Sequence, residues 1–277
     1  MAITIVGGAS TNNDSTINTH TLTHGLTINS DDIILFFENV DGNISNRATE
    51  PVTFDGSIYE ADTLSGHVST NWYRAGGSEP SSYSWTYTSA ERGVVGLIVL
   101  RGCLATGDVI DSSNSAIDLT DDLLGTFTAL TPTVDNCAVI GYCATAEGDA
   151  GSGTSFTSWP FGTEQFDGSS VGSGSGAKSH GAAAVVQTTA AEVSGSVTIS
   201  HGDVTDDGPF VIAVLPAATG STTTGVAASD GVATAAATGT STFRGVASSD
   251  GVAVVAAVAA VAPGTMSSFQ FRHNMRG

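Results

Sequence analysis

The chain has 277 residues, of which 34 are glycine and only 13% are charged, so it is long enough for one large or two modest domains. Its formal net charge is −19, with one lysine and seven arginines. The chain therefore lacks the basic residues that proteins use to bind nucleic acids and anionic lipids. Composition therefore predicts a turn-rich β protein that binds neither nucleic acid nor membrane.

Strand-like segments occupy the chain from Met1 to Pro216. They are rich in β-branched and aromatic residues, are bounded by Gly, Asn, Asp or Pro, and show no helical period. An antiparallel β-sandwich is therefore predicted for residues 1–216. The predicted strands are 3–10, 19–28, 31–40, 82–89, 93–102, 136–146, 181–189, 195–202 and 208–216.

Two sequence patterns predict which strands form the core. Continuous apolar runs in 31–40, 93–102 and 208–216 indicate strands that are buried on both faces or lie at the centre of the sandwich. In 82–89 the aromatic residues alternate, which places Tyr83, Trp85 and Tyr87 on one face of a strand.

After Pro216 the composition changes and the sequence repeats with a period of twenty. Gly225–Thr238 (GVAASDGVATAAAT) and Gly245–Val258 (GVASSDGVAVVAAV) share ten of fourteen positions. Such repeats are typical of units that must stack to bury their apolar faces. Residues 217–262 are therefore predicted to be a separate repeat module.

Each repeat has an Asp-Gly pair between apolar runs, at Asp230-Gly231 and Asp250-Gly251, which favours a β-hairpin with a tight turn. Two hairpins of small side chains bury too little area alone, so we expect them to pack on other copies or on another protein. The alternative is an Ala-rich helix over 252–262. The predicted oligomer contacts are Val226, Val232, Val246, Val252, Val254, Val255 and Val258.

Residues 263–277 form a basic tail in which Arg272, His273 and Arg276 are predicted to dock on an acidic neighbour. The longest apolar run, Val252–Ala262, has eleven residues, fewer than the roughly 20 that a membrane-spanning helix needs. The N-terminal sequence MAITIVGGASTNN has no secretory-signal pattern, so synthesis in the cytoplasm is expected.

One segment carries a resemblance to a known family. Tyr73–Cys103 reads YRAGGSEPSSYSWTYTSAERGVVGLIVLRGC, which resembles a jelly-roll-like β-sandwich domain of tailed-phage virion proteins and bacterial surface proteins. In that family Y-x-A-G-x-S-E-P-x-x-Y-x-W-T-x-[ST] precedes an apolar strand that ends in [YL]-R-G. Asp32–Phe36, the Trp159-Pro160 turn and the closing strand Val211–Pro216 are similar too, so the resemblance covers about residues 1–216.

The resemblance implies a jelly-roll-like fold and a structural or adhesive role without catalytic residues. Alanine-, valine- and glycine-rich repeats after such a domain are similar to those of phage fibre and decoration proteins. The expected function is thus that of a non-enzymatic virion component, such as a decoration, head-fibre or tail-fibre protein. It would assemble in the host cytoplasm as a trimer or other symmetric oligomer, dock on other virion proteins and leave by lysis.

The alternative function is a carbohydrate-binding adhesin module that attaches to a host-surface glycan. Trp72, Tyr73 and Trp159 would then stack on sugar rings, although core or loop-anchoring roles are the preferred interpretation of these residues. Asp203, Asp206 and Asp207 are the candidate metal ligands, in a turn whose carboxylates suit Ca²⁺ but which lacks the spacing of an EF-hand. A simple acidic turn is the preferred interpretation, and no cofactor is expected.

Other motifs carry little chemistry. Gly168–Gly172 matches G-x-S-x-G as a string, but it lies in a Gly/Ser tract without the strand-turn-helix context of a nucleophile elbow. His20 and His24 would lie about 13 Å apart along one strand, too far to share a metal, and are expected to be surface or partly buried polar residues. The cysteines, expected to be reduced and buried, match no zinc pattern: Cys103, Cys137 and Cys143.

Overall fold

The computed structural model describes residues 3–63, 66–115, 124–147, 155–170, 177–200, 204–207 and 210–214. For residues 63, 146–147, 204–207, 210, 211 and 213 it describes the backbone alone. All of these residues belong to one compact unit, Met1–Ala217. The predicted repeat module 217–262 and basic tail 263–277 lie outside the described residues.

The described part of the chain is built of β-strands, apart from one short 3₁₀ helix at Ile44–Asn46. Every strand pairing in it is antiparallel, as predicted. In chain order the strands are β1 (Thr4–Thr23), β2 (Ile33–Val40), β3 (Arg47–Thr49), β4 (Gly56–Thr63), β5 (Gly66–Arg74), β6 (Ser82–Arg101), β7 (Ile110–Ser115), β8 (Leu124–Leu130), β9 (Cys137–Glu147), β10 (Phe156–Thr157), β11 (Thr163–Ser169), β12 (Ala177–Gln187), β13 (Val193–Ile199), β14 (Val204–Asp207) and β15 (Phe210–Val214).

The strands form three sheets. Sheet I has the order β1-β6-β2-β5-β4, with β3 also paired to β6. Sheet II has the order β11-β12-β9-β15-β7, with β14 also paired to β9. Sheet III is the small sheet β10-β13-β8. The strand order is not sequential within sheets I and II, so distant parts of the chain become neighbours.

Sheets I and II pack face to face through an apolar layer that we call the inner cluster. Side chains from both sheets meet in it, and the rings of Phe37 and Tyr142 stack across the interface at 4.7 Å. Its buried members include Ile33, Leu35, Phe37, Trp72, Ile98 and Leu100 from sheet I and Ile140, Tyr142, Phe166, Ala182, Ala184, Ile212 and Val214 from sheet II.

The other faces of both sheets are covered as well. On sheet I an outer cluster includes Ile34, Phe36, Leu97 and Val99, and the ring of Tyr83 meets Phe36 edge-on at 4.9 Å. The N-terminal half of β6 therefore lies across the outer face of sheet I. Between sheets II and III a third cluster forms from Phe127, Leu130, Val139, Cys143, Phe156, Val193, Val197 and Ile199.

The predicted core strands 31–40 and 93–102 are confirmed, and the two side chains described in 208–216 agree with a core position. Every residue of β2 is buried, Val94–Leu100 of β6 are buried, and so are Ile212 and Val214 of β15. Tyr83, Trp85 and Tyr87 share the outer cluster, as their alternation predicts. The two segments 82–89 and 93–102, however, form one continuous strand, because β1 pairs along both of them.

Strand β5 lies inside sheet I, between β2 and the edge strand β4, although its sequence does not predict a strand. It is GHVSTNWYR, and its polar residues His67, Ser69, Thr70 and Asn71 are all buried. An apolar alternation is absent because one face of β5 contributes to a buried polar network instead of a hydrophobic core.

Candidate binding groove

The sandwich of sheets I and II is closed along one side. There the edge strands β1 and β11 are bridged, because Nδ2 of Asn12 donates to the backbone oxygen of Ser169 at 2.8 Å. Oγ of Ser10 donates to the backbone oxygen of Asp167 at 3.5 Å. The opposite side lies between the edge strands β4 and β7, and a groove runs between them.

The groove has a volume of about 650 Å³. A smaller depression of about 120 Å³ continues it, since both are lined by Ile58 of β4 and Ser113 of β7. Its other lining residues come from three stretches of chain, Asp55, Gly56 and Ser57, then Trp72 and Arg74, then Gly107, Asp108, Ile110, Asp111 and Ser112. The smaller depression adds Tyr59, Asn114 and Ser115.

Trp72 lies at the base of the groove with 7% of its surface exposed. Gly56 pairs with Trp72 across strands β4 and β5, and a Cβ atom at residue 56 would lie 2.3 Å from Nε1 of the indole. Only glycine at residue 56 leaves room for the indole to pack there. The guanidinium carbon of Arg74 lies 5.9 Å from the centroid of the indole, within the range of a cation-π contact.

Arg74 and three aspartates make the polar rim of the groove. Arg74 donates to the backbone oxygens of Leu104 at 2.6 Å and of Gly107 at 3.3 Å, so backbone contacts hold its guanidinium in place. Oδ2 of Asp55 accepts the backbone N–H of Arg74 at 2.7 Å, and Oδ1 of Asp108 accepts that of Ile110 at 2.9 Å.

Asp111 accepts hydrogen bonds from the backbone N–H of Thr133, at 2.6 Å, and from its hydroxyl group. Hydrogen bonds to the backbone thus orient the aspartates at the rim. An aromatic base with a rim of carboxylates, hydroxyls and one guanidinium suits binding of a polar ligand that also has an apolar face.

The structure does not bring together the three aromatic residues predicted to stack on sugars. Trp72 is in the inner cluster, and Tyr73, its neighbour in β5, points to the outer cluster, where its hydroxyl donates to Glu79 at 3.3 Å. Trp159 packs on the third cluster, and its Nε1 donates to Glu164 at 3.2 Å. Of the three, Trp72 alone lines the groove.

Several other predicted site residues lie outside the described residues. They are Asp203 among the metal candidates and, among the oligomer and docking residues, Val226, Val232, Val246, Val252, Val254, Val255, Val258, Arg272, His273 and Arg276. Asp206 and Asp207 are described only as backbone of β14. In the described part of the chain, no group of three or more His, Cys, Asp or Glu side chains could hold a metal ion.

The serine of the G-x-S-x-G string is buried and hydrogen-bonded to the backbone of a neighbouring strand. Ser170 is fully buried, and its Oγ accepts the backbone N–H of Lys178 at 2.9 Å. The backbone N–H of Ser170 in turn donates to the backbone oxygen of Lys178 at 2.7 Å. This hydroxyl is used to join the ends of β11 and β12, which supports the prediction that the string is a chance match.

The two histidines are more deeply buried than the sequence predicts, since His20 is 0% and His24 is 8% exposed where surface or partly buried positions are expected. Nδ1 of His20 lies 2.8 Å from Nδ2 of Asn13, and its Nε2 lies 3.2 Å from the backbone oxygen of Glu91. Burial lowers the pKa of His20, against the opposing effect of its backbone contact with Glu91. The ring of His24 stacks on Tyr83 at 5.4 Å, so both histidines anchor the ends of long strands.

A buried ion pair on the outer face of sheet I was not predicted from the sequence. Nη1 of Arg47 lies 2.8 Å from Oε2 of Glu38, and their side chains are 8% and 2% exposed. Glu38 also accepts hydrogen bonds from the hydroxyls of Tyr87, at 2.6 Å, and Ser69, at 3.1 Å. In the sequence, the only sign of this ion pair is Glu38 within the apolar run IILFFENV, because a carboxylate in a buried strand needs a cationic or hydrogen-bonding partner.

Burial and the nearby charge of Glu38 raise the pKa of Tyr87 well above its usual value. Burial alone would lower the pKa of Arg47, but the carboxylate of Glu38 outweighs it and raises that pKa.

The three cysteines are buried and form no disulfide, as predicted. Burial raises the pKa of Cys103 to about 12 and that of Cys137 to about 11, so both remain protonated thiols at neutral pH.

Within the described residues no helix has the length and apolar character that crossing a bilayer requires. Comparison with known proteins gives no relative: no family model, no curated protein and no solved structure matches this chain.

Proposed function

We propose that the protein is a non-enzymatic structural component of a tailed-phage virion, a decoration, head-fibre or tail-fibre protein that acts by self-assembly. The observation that carries the proposal is the period-20 repeat, which follows an all-β antiparallel domain. Repeated apolar segments that cannot bury their faces alone favour contacts between copies.

In this proposal residues 1–216 form a jelly-roll-like sandwich and residues 217–262 form β-hairpins that close a trimer or other symmetric oligomer. The basic residues Arg272, His273 and Arg276 dock the tail on an acidic neighbouring virion protein. Assembly takes place in the host cytoplasm and release is by lysis. The layered sheets of the described unit support a rigid building block, since hydrophobic clusters cover both faces of sheets I and II.

The test is the molar mass of the full chain in solution, measured by light scattering after size exclusion. A variant in which all seven repeat valines are replaced by serine keeps the chain length and removes the apolar contacts. We expect an oligomer for the wild type and a monomer for this variant. Val134→Ser, at a site with 41% exposure in the sandwich, is the matched control and should leave the molar mass unchanged. A monomeric wild type contradicts self-assembly.

A carbohydrate-binding adhesin is the second candidate. The three-ring platform of Trp72, Tyr73 and Trp159 does not support it, because these rings lie in different clusters. The position of Trp72 at the base of an open groove does support it. A virion component that also binds a host glycan would combine both roles.

A further inference from the structure

We propose that the groove between β4 and β7 binds a neutral oligosaccharide chain. The proposal goes beyond assembly by the repeats, because it concerns a surface of the sandwich alone. It also replaces the predicted three-ring platform by a different set of residues, of which Trp72 is the shared member.

The first argument is the apolar base of the groove. Trp72 and Ile58 come from sheet I and Ile110 from sheet II, and all three belong to or pack on the inner cluster. Sugar rings present apolar C–H faces that pack on indole and aliphatic surfaces, while their hydroxyls remain at the rim. The indole edge packs directly against Gly56, where a Cβ atom would lie 2.3 Å from Nε1, so the exposed 7% of Trp72 is what the base presents to a ligand.

The second argument is the hydrogen-bonding capacity of the rim. Asp55 uses Oδ2 and Asp108 uses Oδ1 for backbone N–H groups, whereas in the described part of the chain no hydrogen bond is made to the other oxygen of either carboxylate. Each such oxygen accepts from a sugar hydroxyl. Ser57 and Ser113 add hydroxyl groups and Arg74 adds N–H donors. The rim therefore offers both hydrogen-bond donors and acceptors to the hydroxyl groups of a sugar.

The third argument is charge. Three carboxylates and one guanidinium line the groove, and the whole chain carries a formal net charge of −19. Sialylated, sulfated or uronic-acid sugars would place like charges next to Asp55, Asp108 and Asp111, which is unfavourable. A neutral sugar avoids this repulsion.

The fourth argument is shape. A volume of about 650 Å³ falls within the usual range for ligand sites, and the second depression of about 120 Å³ extends it along β4 and β7. An elongated groove of this kind accommodates several linked sugar units better than one monosaccharide. An extended peptide that pairs with an edge strand is the competing occupant, and the hydroxyl- and carboxylate-rich rim favours the glycan.

The experiment uses the full chain on an array of neutral oligosaccharides built from glucose, galactose, rhamnose and N-acetylglucosamine, with sialylated and sulfated counterparts. Titration calorimetry then measures the affinity of the best neutral glycan. We expect binding to at least one neutral glycan and weaker binding to its anionic counterparts.

Two variants locate the site. Ser113→Trp fills the groove from an exposed position without altering the core, and Trp72→Ala removes the apolar base. We expect Ser113→Trp to weaken binding at least about tenfold. Ser194→Trp, at an exposed serine of β13 in sheet III, is the matched control and should bind like the wild type. Near-UV circular dichroism shows whether each variant is folded. If Trp72→Ala unfolds, Ser113→Trp alone tests the site.

Absence of binding to every neutral glycan on the array overturns the proposal. So does neutral-glycan binding that Ser113→Trp leaves unchanged, or a preference for anionic sugars. Binding of an extended peptide that Ser113→Trp abolishes, without any glycan binding, would assign the groove to peptide recognition instead. None of these outcomes changes the molar mass of the full chain, so the assembly role is tested independently by light scattering.

Discussion

Arg101 at the end of β6 donates two hydrogen bonds to the carboxylate of Asp32, which precedes β2. Its Nε lies 2.9 Å from Oδ1, and its Nη2 lies 2.7 Å from Oδ2. Oδ2 also accepts the backbone N–H of Asn29 at 2.8 Å, and Asp32 is 1% exposed. The pair therefore fixes the turn before β2 to the end of its neighbour in sheet I.

We expect Arg101→Ala to lower the free energy of unfolding by about 1–2 kcal/mol, because it leaves a buried carboxylate with fewer donors while water reaches the vacated side. Arg101→Lys should recover only part of the loss, since an ammonium group cannot reproduce the two parallel hydrogen bonds. Urea unfolding of the three proteins tests this. Equal stabilities for Arg101→Lys and Arg101→Ala would mean that charge alone contributes nothing here.

A larger effect is expected for the ion pair between Arg47 and Glu38. Arg47→Met leaves the carboxylate of Glu38 buried without its cationic partner, which should cost about 3–5 kcal/mol. Glu38→Gln combined with Arg47→Met should restore much of the stability, because no buried charge remains.

A double-mutant cycle of urea unfolding measures the coupling between these two residues. Glu50→Gln is the control, because this carboxylate also lies near Arg47, at 3.2 Å, but is 40% exposed. Its loss should change the free energy of unfolding by less than about 1 kcal/mol. Additive effects of Arg47→Met and Glu38→Gln would contradict a direct interaction.

The sequence predicts the apolar strands well, and it misses what depends on distant partners. β2 and the second half of β6 are recognisable because their apolar runs are buried on both faces. β5 is not, because its buried Ser69 gains its stability from Glu38 and Arg47, residues elsewhere in the chain.

The groove is also formed by residues that are distant in the chain, so the sequence does not predict it. Its walls come from β4 and β7, which are about fifty residues apart in the chain and belong to different sheets. No local pattern connects Gly56 with Ser113. The side-chain chemistry of Trp72 marks it as a candidate binding residue, but Tyr73 cannot share its site, because successive residues of a strand point to opposite faces.

His180 should make the protein sensitive to acid. It is fully buried between Tyr142 and Phe166, and burial lowers its pKa to about 3 from an ordinary 6.5. Below pH 6.5 the unfolded chain binds a proton that the folded protein does not accept until about pH 3. Stability from this residue is therefore complete above pH 6.5 and falls as the pH is lowered towards 3, by up to about 1.4 kcal/mol per pH unit.

The measurement is the free energy of unfolding of the wild type and His180→Leu from pH 7.5 to 3.5, roughly the window of these pKa values. We expect a smaller loss for the variant at the acid end. Asp167 acts with the opposite sign, because burial raises its pKa to about 6 and its folded form gains relative stability as the pH falls. It is present in both proteins, so the difference between them reports His180. Parallel pH profiles would contradict a neutral, buried imidazole.

Gly181 tests the packing of sheets II and III. A Cβ atom at this position of β12 would lie 2.8 Å from the ring of Phe156, which is fully buried in the third cluster. Gly181→Ala should therefore force the ring to move and destabilise the fold by about 1–3 kcal/mol, even though alanine restricts the unfolded chain. Gly25→Ala is the matched control, because no atom lies within 4 Å of the added methyl group there. Thermal unfolding should give a lower midpoint for Gly181→Ala and an unchanged or higher one for Gly25→Ala; equal midpoints would mean that sheet III yields to the added methyl group.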